Sequence, residues 1–90
     1  MTDHPVRYRV TITETARRER QRLTPQIRER VDRAMQGLTE EPRPRGVRKL
    51  AGSQNDYRIK VGDYRILFEI ADDERVITIW RVALRREGYR

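Results

Sequence analysis

Apolar and polar residues alternate along Tyr8-Arg9-Val10-Thr11-Ile12-Thr13, and β-branched side chains dominate the apolar positions. A period of two predicts a strand. Residues 1–6 hold a proline and no period, and are expected to form a loose lead-in. Thr13 then offers a side-chain oxygen to the free N–H groups of a helix start, and Glu14 suits the positive end of the helix dipole. The helix that follows is weakly amphipathic, because Ala16 and Leu23 lie seven apart with Arg20 between them. Thr24-Pro25 is a second start signal, a cap residue followed by proline at the first helical position. Beyond it Ile27, Val31, Ala34, Met35 and Leu38 make one apolar stripe, while Arg28, Glu29, Arg30, Asp32 and Arg33 fill the other faces. The turn between the helices is short, which predicts antiparallel packing. Pro42, Pro44 and Gly46 end the second helix and open a loop of about ten residues.

The rest of the chain reads as sheet. Residues 57–61 alternate, Gly62-Asp63 is a two-residue hairpin turn, and residues 64–70 alternate again. Asp72, Asp73 and Glu74 form a second turn. Residues 76–82 are apolar on both faces, as befits a central strand, and residues 84–90 form a short basic C-terminal tail. Nothing marks a repeat or a domain boundary. The expected fold is a single α+β domain over residues 1–90, ordered β-α-α-β-β-β, with two antiparallel helices packed on one face of a small antiparallel sheet.

A two-residue turn fixes the hairpin register. Val61 faces Tyr64, Lys60 faces Arg65, Ile59 faces Ile66, Arg58 faces Leu67 and Tyr57 faces Phe68. The helix-covered side then carries Tyr57, Ile59, Val61, Tyr64, Ile66, Phe68 and Ile70. The other side gathers Arg58, Lys60 and Arg65, with Leu67 and Glu69. Tyr8 and Phe68 are expected in the core, and so is Trp80 in preference to a recognition role.

Composition narrows the chemistry. At 90 residues and 10.9 kDa, with 36% hydrophobic residues, the chain has material for one small core. It has no cysteine and a single histidine, His4, so neither thiolate nor ordinary zinc or haem ligation is expected, and no metal or cofactor. No apolar run approaches the ~18–20 residues of a membrane span and no signal-peptide core follows Met1, so a soluble cytoplasmic domain is expected. The net charge is +7 and the pI about 10.7, and 19 of the 21 cations are arginine. A GC-rich genome accounts for the arginine bias as well as a polyanion does. The net charge itself points to a polyanionic partner, nucleic acid first and an acidic protein second.

The hairpin cations suit phosphate. Guanidinium groups hold phosphate oxygens bidentately, and fixed cations oppose charge that develops in a transition state. A lysine between two guanidiniums has its charged form disfavoured, so Lys60 is expected to titrate low and to serve as a general base. RNA brings its own nucleophile, the 2′-hydroxyl, so that chemistry requires no metal, cysteine or serine. The competing reading is a solvated edge whose three cations are screened by water and salt. Tyr89 suits a base-stacking platform, a hydrogen-bonding phenol or an anchor tucked against the sheet.

Arg43-Pro44-Arg45-Gly46 leading into residues 47–52, the block 57–68, and the terminal Leu84-Arg85-Arg86-Glu87-Gly88-Tyr89 together resemble the RelE/ParE superfamily of bacterial toxins, and its RelE branch more closely. The resemblance covers residues 8–90. It implies the RelE-like microbial RNase fold and a ribosome-dependent endoribonuclease that cleaves mRNA in the A site. It also implies neutralisation by a cognate antitoxin. By resemblance, Arg58 and Lys60 are the basic pair of the first hairpin strand, with Lys60 the general base on the 2′-hydroxyl. Arg65 would hold the scissile phosphate, Arg85 would assist departure of the 5′-oxygen, and Tyr89 would stack on the nucleotide. A guanidinium pKa above ~12 makes Arg85 a charge stabiliser before a proton donor. Two positions depart from the pattern: Leu84 stands where many relatives carry histidine, and Gly88 where an apolar residue is common. Arg17, Arg18, Arg22, Arg48 and Lys49 are candidate RNA contacts, gripping rRNA, or else solvated helix and loop surface. A partly disordered acidic antitoxin is the expected protein partner. Two other functions compete: a ParE-like DNA gyrase inhibitor, which the basic hairpin cluster argues against, and a non-catalytic basic nucleic-acid-binding module.

Overall fold

The structure, a computed structural model, describes residues 7–85. Its first strand, β1 (Arg9–Ile12), turns directly into helix α1 (Glu14–Gln21) at Thr13, whose backbone is extended and whose Oγ1 accepts the Ala16 N–H at 3.2 Å. Thr24 plays the same part for helix α2 (Pro25–Gly37), accepting the Ile27 N–H at 3.5 Å ahead of Pro25 in the first turn. Arg20, the cation that interrupts the α1 stripe, is held by Asp32 of α2. Its Nε and Nη2 donate to the two carboxylate oxygens at 2.6 and 2.7 Å. Pairing removes the cost of half-burying that charge between Ala16 and Leu23.

Four further strands follow: β2 (Arg48–Lys49), β3 (Asp56–Val61), β4 (Tyr64–Ala71) and β5 (Val76–Leu84). They form one sheet of order β1-β5-β4-β3-β2. The β3–β4 register pairs Lys60 with Arg65 and Arg58 with Leu67, as the two-residue turn requires. Two features differ from expectation. β2 lies inside the predicted loop and pairs Arg48 with Arg58 and Lys49 with Tyr57, a strand too short to show a period. The sheet is also mixed, because β1 joins the outer edge of β5 in parallel, Val10 beside Ile77 and Ile12 beside Ile79. After the helical pair and three antiparallel strands the chain runs in its original direction, and β5 needs a partner on each edge.

The core lies between the helices and the inner face of the sheet. Ile66, Phe68, Ile70, Ile77, Ile79 and Val82 pack against Ala16, Leu23, Val31 and Leu38, with Ile27, Ala34, Met35 and Tyr8 at its margin. Trp80 is not part of it. Ile79 faces Phe68 and Arg81 faces Leu67, so Trp80 is the extra residue of a β-bulge. Its indole N–H donates to Asp56 Oδ1 at 3.2 Å on the face of the sheet turned away from the helices. The bulge breaks the alternation, which is why Ile79 and Val82, three apart, both point at the helices. Glu19 of α1 closes it: its carboxylate accepts Arg81 Nε and the Val82 N–H, both at 2.7 Å. Neither helix is long and apolar enough to cross a membrane. The lead-in 1–6 and tail residues 86–90, with Tyr89 among them, lie outside the described residues.

Candidate active site

The tip of the β3–β4 hairpin draws together side chains from separate parts of the chain. Gly62 takes φ +59°, the left-handed region a tight hairpin asks of glycine. Lys60 and Arg65 face each other one residue pair below the turn. The N–H of Arg85, just past β5, donates to the Asp63 carbonyl at 2.9 Å and ties that segment to the turn. Asp63, Arg65, Leu84 and Arg85 line a cleft of about 510 Å³. On the outer side β2 sets Arg48 beside Arg58.

The electrostatics follow from this crowding. Lys60 is pushed below the ordinary lysine range, most by Arg85, then by Arg58, partial desolvation, Arg65 and Arg48. Neighbouring positive charge disfavours the ammonium form and so makes the amine available at lower pH. Arg58 Nη1 is shielded from solvent and has no hydrogen-bond partner among the described residues. A buried donor left in that condition is suited to an incoming anion. The arrangement offers an exposed amine of lowered basicity among guanidiniums, groups able to move a proton beside a phosphate and to offset its charge. Among the described residues no His, Cys, Asp or Glu side chains cluster as metal ligands do.

Arg48, Arg58, Lys60, Arg65 and Arg85 thus share one site. The other sequence candidates do not join it. Arg17 and Arg18 pair with Glu14 along α1 at 2.6 and 3.0 Å, and Arg17 lines a separate groove with Val10, Ile12 and Met35. Arg22 caps the C-terminus of α1, and Lys49 stands opposite Tyr57, on the register of the helix side. Sequence reading overlooked Arg30, whose guanidinium lies against Gly62, and Glu19, which shapes the strand leading to Arg85. Arg43 serves at the far end of the sheet. It grips Asp72 with two hydrogen bonds of 3.2 and 2.8 Å, lies over the Tyr57 ring at 5.1 Å, and shares Asp72 with the Tyr8 hydroxyl, 2.6 Å away.

A profile of the ParE toxin of type II toxin–antitoxin systems, parDE, matches residues 10–89. The chain belongs to the RelE/ParE superfamily of type II toxins. Solved relatives of the toxin share its layers. The RelBE2 toxin–antitoxin complex of Mycobacterium tuberculosis is 32% identical, with TM-score 0.77, over 88% of this chain and 99% of that one. The archaeal RelE–RelB complex of Pyrococcus horikoshii is 30% identical, with TM-score 0.80, over 90% and 98%. The intact RelBE complex of E. coli is 26% identical, with TM-score 0.77, over 92% and 99%. No curated protein sequence matches. The toxin therefore combines a ParE-type sequence profile with structural kinship to RelE proteins.

Proposed function

We propose that this toxin is an mRNA endoribonuclease acting in the ribosomal A site by metal-free attack of the substrate's 2′-hydroxyl. The observation that carries the reading is Lys60, an exposed lysine of lowered pKa set among Arg58, Arg65 and Arg85 beside an open cleft. The neutral Lys60 amine takes the 2′-hydroxyl proton. The 2′-oxygen then bonds to the adjacent phosphorus as the bond to the 5′-oxygen breaks, leaving a 2′,3′-cyclic phosphate. Arg65 and Arg58 hold the phosphate oxygens, and Arg85 offsets charge on the departing 5′-oxygen, which takes its proton from water. Tyr89 stacks on the nucleotide in this scheme. A ribosomal target places the toxin in the cytoplasm. The solved relatives are complexes with RelB antitoxins, which supports an acidic antitoxin as the protein partner of this +7 chain.

The family profile is that of a ParE toxin, and resemblance to ParE keeps one other reading in play, inhibition of DNA gyrase. Primer extension on an mRNA, with purified toxin and with or without translating ribosomes, separates the two. Codon-phased cuts that appear only with ribosomes support the nuclease. Absence of cuts from protein that still arrests growth, together with loss of gyrase supercoiling, supports the inhibitor.

A further inference from the structure

Arg30 projects from α2 over the hairpin turn. A methyl group at Gly62 would sit 3.2 Å from its Nη1 and 3.4 Å from its Nη2, so the guanidinium lies directly against the turn backbone. Helix spacing gives it no counter-charge, since positions 26, 27, 33 and 34 are Gln, Ile, Arg and Ala. The other arginines of α2 are engaged: Arg28 donates to the Leu23 carbonyl at 3.4 Å and Arg33 pairs with Glu29 at 3.4 Å. Arg30 itself makes no ion pair or side-chain hydrogen bond among the described residues, even with Asp63 one residue beyond Gly62. It remains exposed.

The turn therefore meets an arginine at each of its two residues, the Arg30 guanidinium at one and the Arg85 backbone at the other. Arg30 lies against Gly62, and Arg85 is fastened to Asp63. Neighbouring α-carbons are about 3.8 Å apart, so the cleft lined by Asp63 and Arg85 ends one residue from the position against which Arg30 lies. A glycine at position 62 adds no side chain there. We propose that Arg30 is a phosphate-binding residue, taking a backbone phosphate adjacent to the one held in the cleft and drawing the RNA strand around the hairpin tip toward the helix side. The assignment rests on the nuclease reading and extends its substrate contacts beyond the sheet.

The test is binding of a labelled single-stranded RNA oligonucleotide by the full chain over a range of NaCl concentrations. A Lys60→Ala background, the same in every sample, prevents cleavage. Loss of one phosphate contact lowers the slope of log K against log salt by about 0.7 for a single strand. Arg30→Gln is expected to show that loss with several-fold weaker binding at low salt and an unchanged melting temperature, and Arg30→Lys is expected to restore the slope. A full slope in Arg30→Gln, or a lower melting temperature with the slope intact, overturns the assignment. If the unaltered toxin still cleaves mRNA on ribosomes, that result removes Arg30 alone. If it does not cleave, the nuclease reading falls with it.

Discussion

Lys60 and Arg65 face each other in register across the β3–β4 hairpin, and Arg85 is bonded to the turn that joins their strands. Like charges opposed in this way weaken a sheet, so the hairpin tip trades stability for a concentrated positive field. Replacing Lys60 by alanine is expected to cut the single-turnover cleavage rate on programmed ribosomes by about 10²–10⁴, the usual worth of a general base. The same change should leave the melting temperature equal to or above that of the wild type. A variant that lost activity and melted earlier would mark Lys60 as structural.

The lowered pKa of Lys60 has a definite direction in pH. Its folded value lies below the unfolded one, so between the two the unfolded chain binds more protons. Stability therefore rises as pH climbs from the lowered value toward the ordinary ~10.4. Arg85 is the largest cause of the shift, so Arg85→Gln is expected to move the titration midpoint upward, toward that of a free lysine. NMR titration of the Lys60 side chain in both proteins reads this directly. An unmoved midpoint would mean that Arg85 does not reach Lys60 in solution.

The hairpin was the most legible part of the chain because a two-residue turn leaves one register, and that register alone sets Arg58, Lys60 and Arg65 on a common face. The α2 stripe was equally plain, five apolar positions at helical spacing that all reach the core or its margin. Trp80 was misread because alternation assumes an unbroken strand, and nothing local announces a bulge that a glutamate 61 residues earlier completes through Arg81 and Val82. The direction of β1 was hidden for a related reason: strand polarity depends on how many times the chain reverses before its partner arrives. Arg30 escaped notice as one of many helix arginines, although the missing carboxylate at its helical neighbours was already written in the sequence.

Gly62 offers a test of backbone geometry. An alanine forced to φ +59° loses about 1–2 kcal/mol against a right-handed conformation, offset by roughly 0.4–1 kcal/mol from a stiffer unfolded chain. Its methyl group also presses on the Arg30 guanidinium, which gives by a few tenths of an ångström. Gly62→Ala is expected to lower the melting temperature by about 4–8 °C for a net cost near 1 kcal/mol, and to leave the salt dependence of RNA binding close to that of the parent, since the Arg30 charge stays at the turn. Calorimetry and the salt titration measure the two effects separately.

Asp72 supplies an acid-sensitive clasp. The Arg43 guanidinium, then the Tyr8 hydroxyl, hold its carboxyl down at about 2, against ~3.9 for an unfolded aspartate. A depressed carboxyl contributes stability above the unfolded value and loses it as pH falls through the folded one. The difference in melting temperature between wild type and Asp72→Asn should therefore be full at pH 6 and close between about pH 4 and 2. A difference that persisted undiminished at pH 2 would assign the effect to packing around Tyr8 and Tyr57.

The parallel pairing of β1 with β5 also sets a schedule for synthesis. Thr11 meets Thr78, 67 residues later, so the first strand emerging from a ribosome has no neighbour to join until nearly all the described chain has been made. The two helices and the central hairpin rest on contacts close in sequence and are free to form early. The sheet gains its first strand last. In the released chain, the hairpin that carries Arg58, Lys60 and Arg65 is therefore free to close before β1 completes the edge of the sheet.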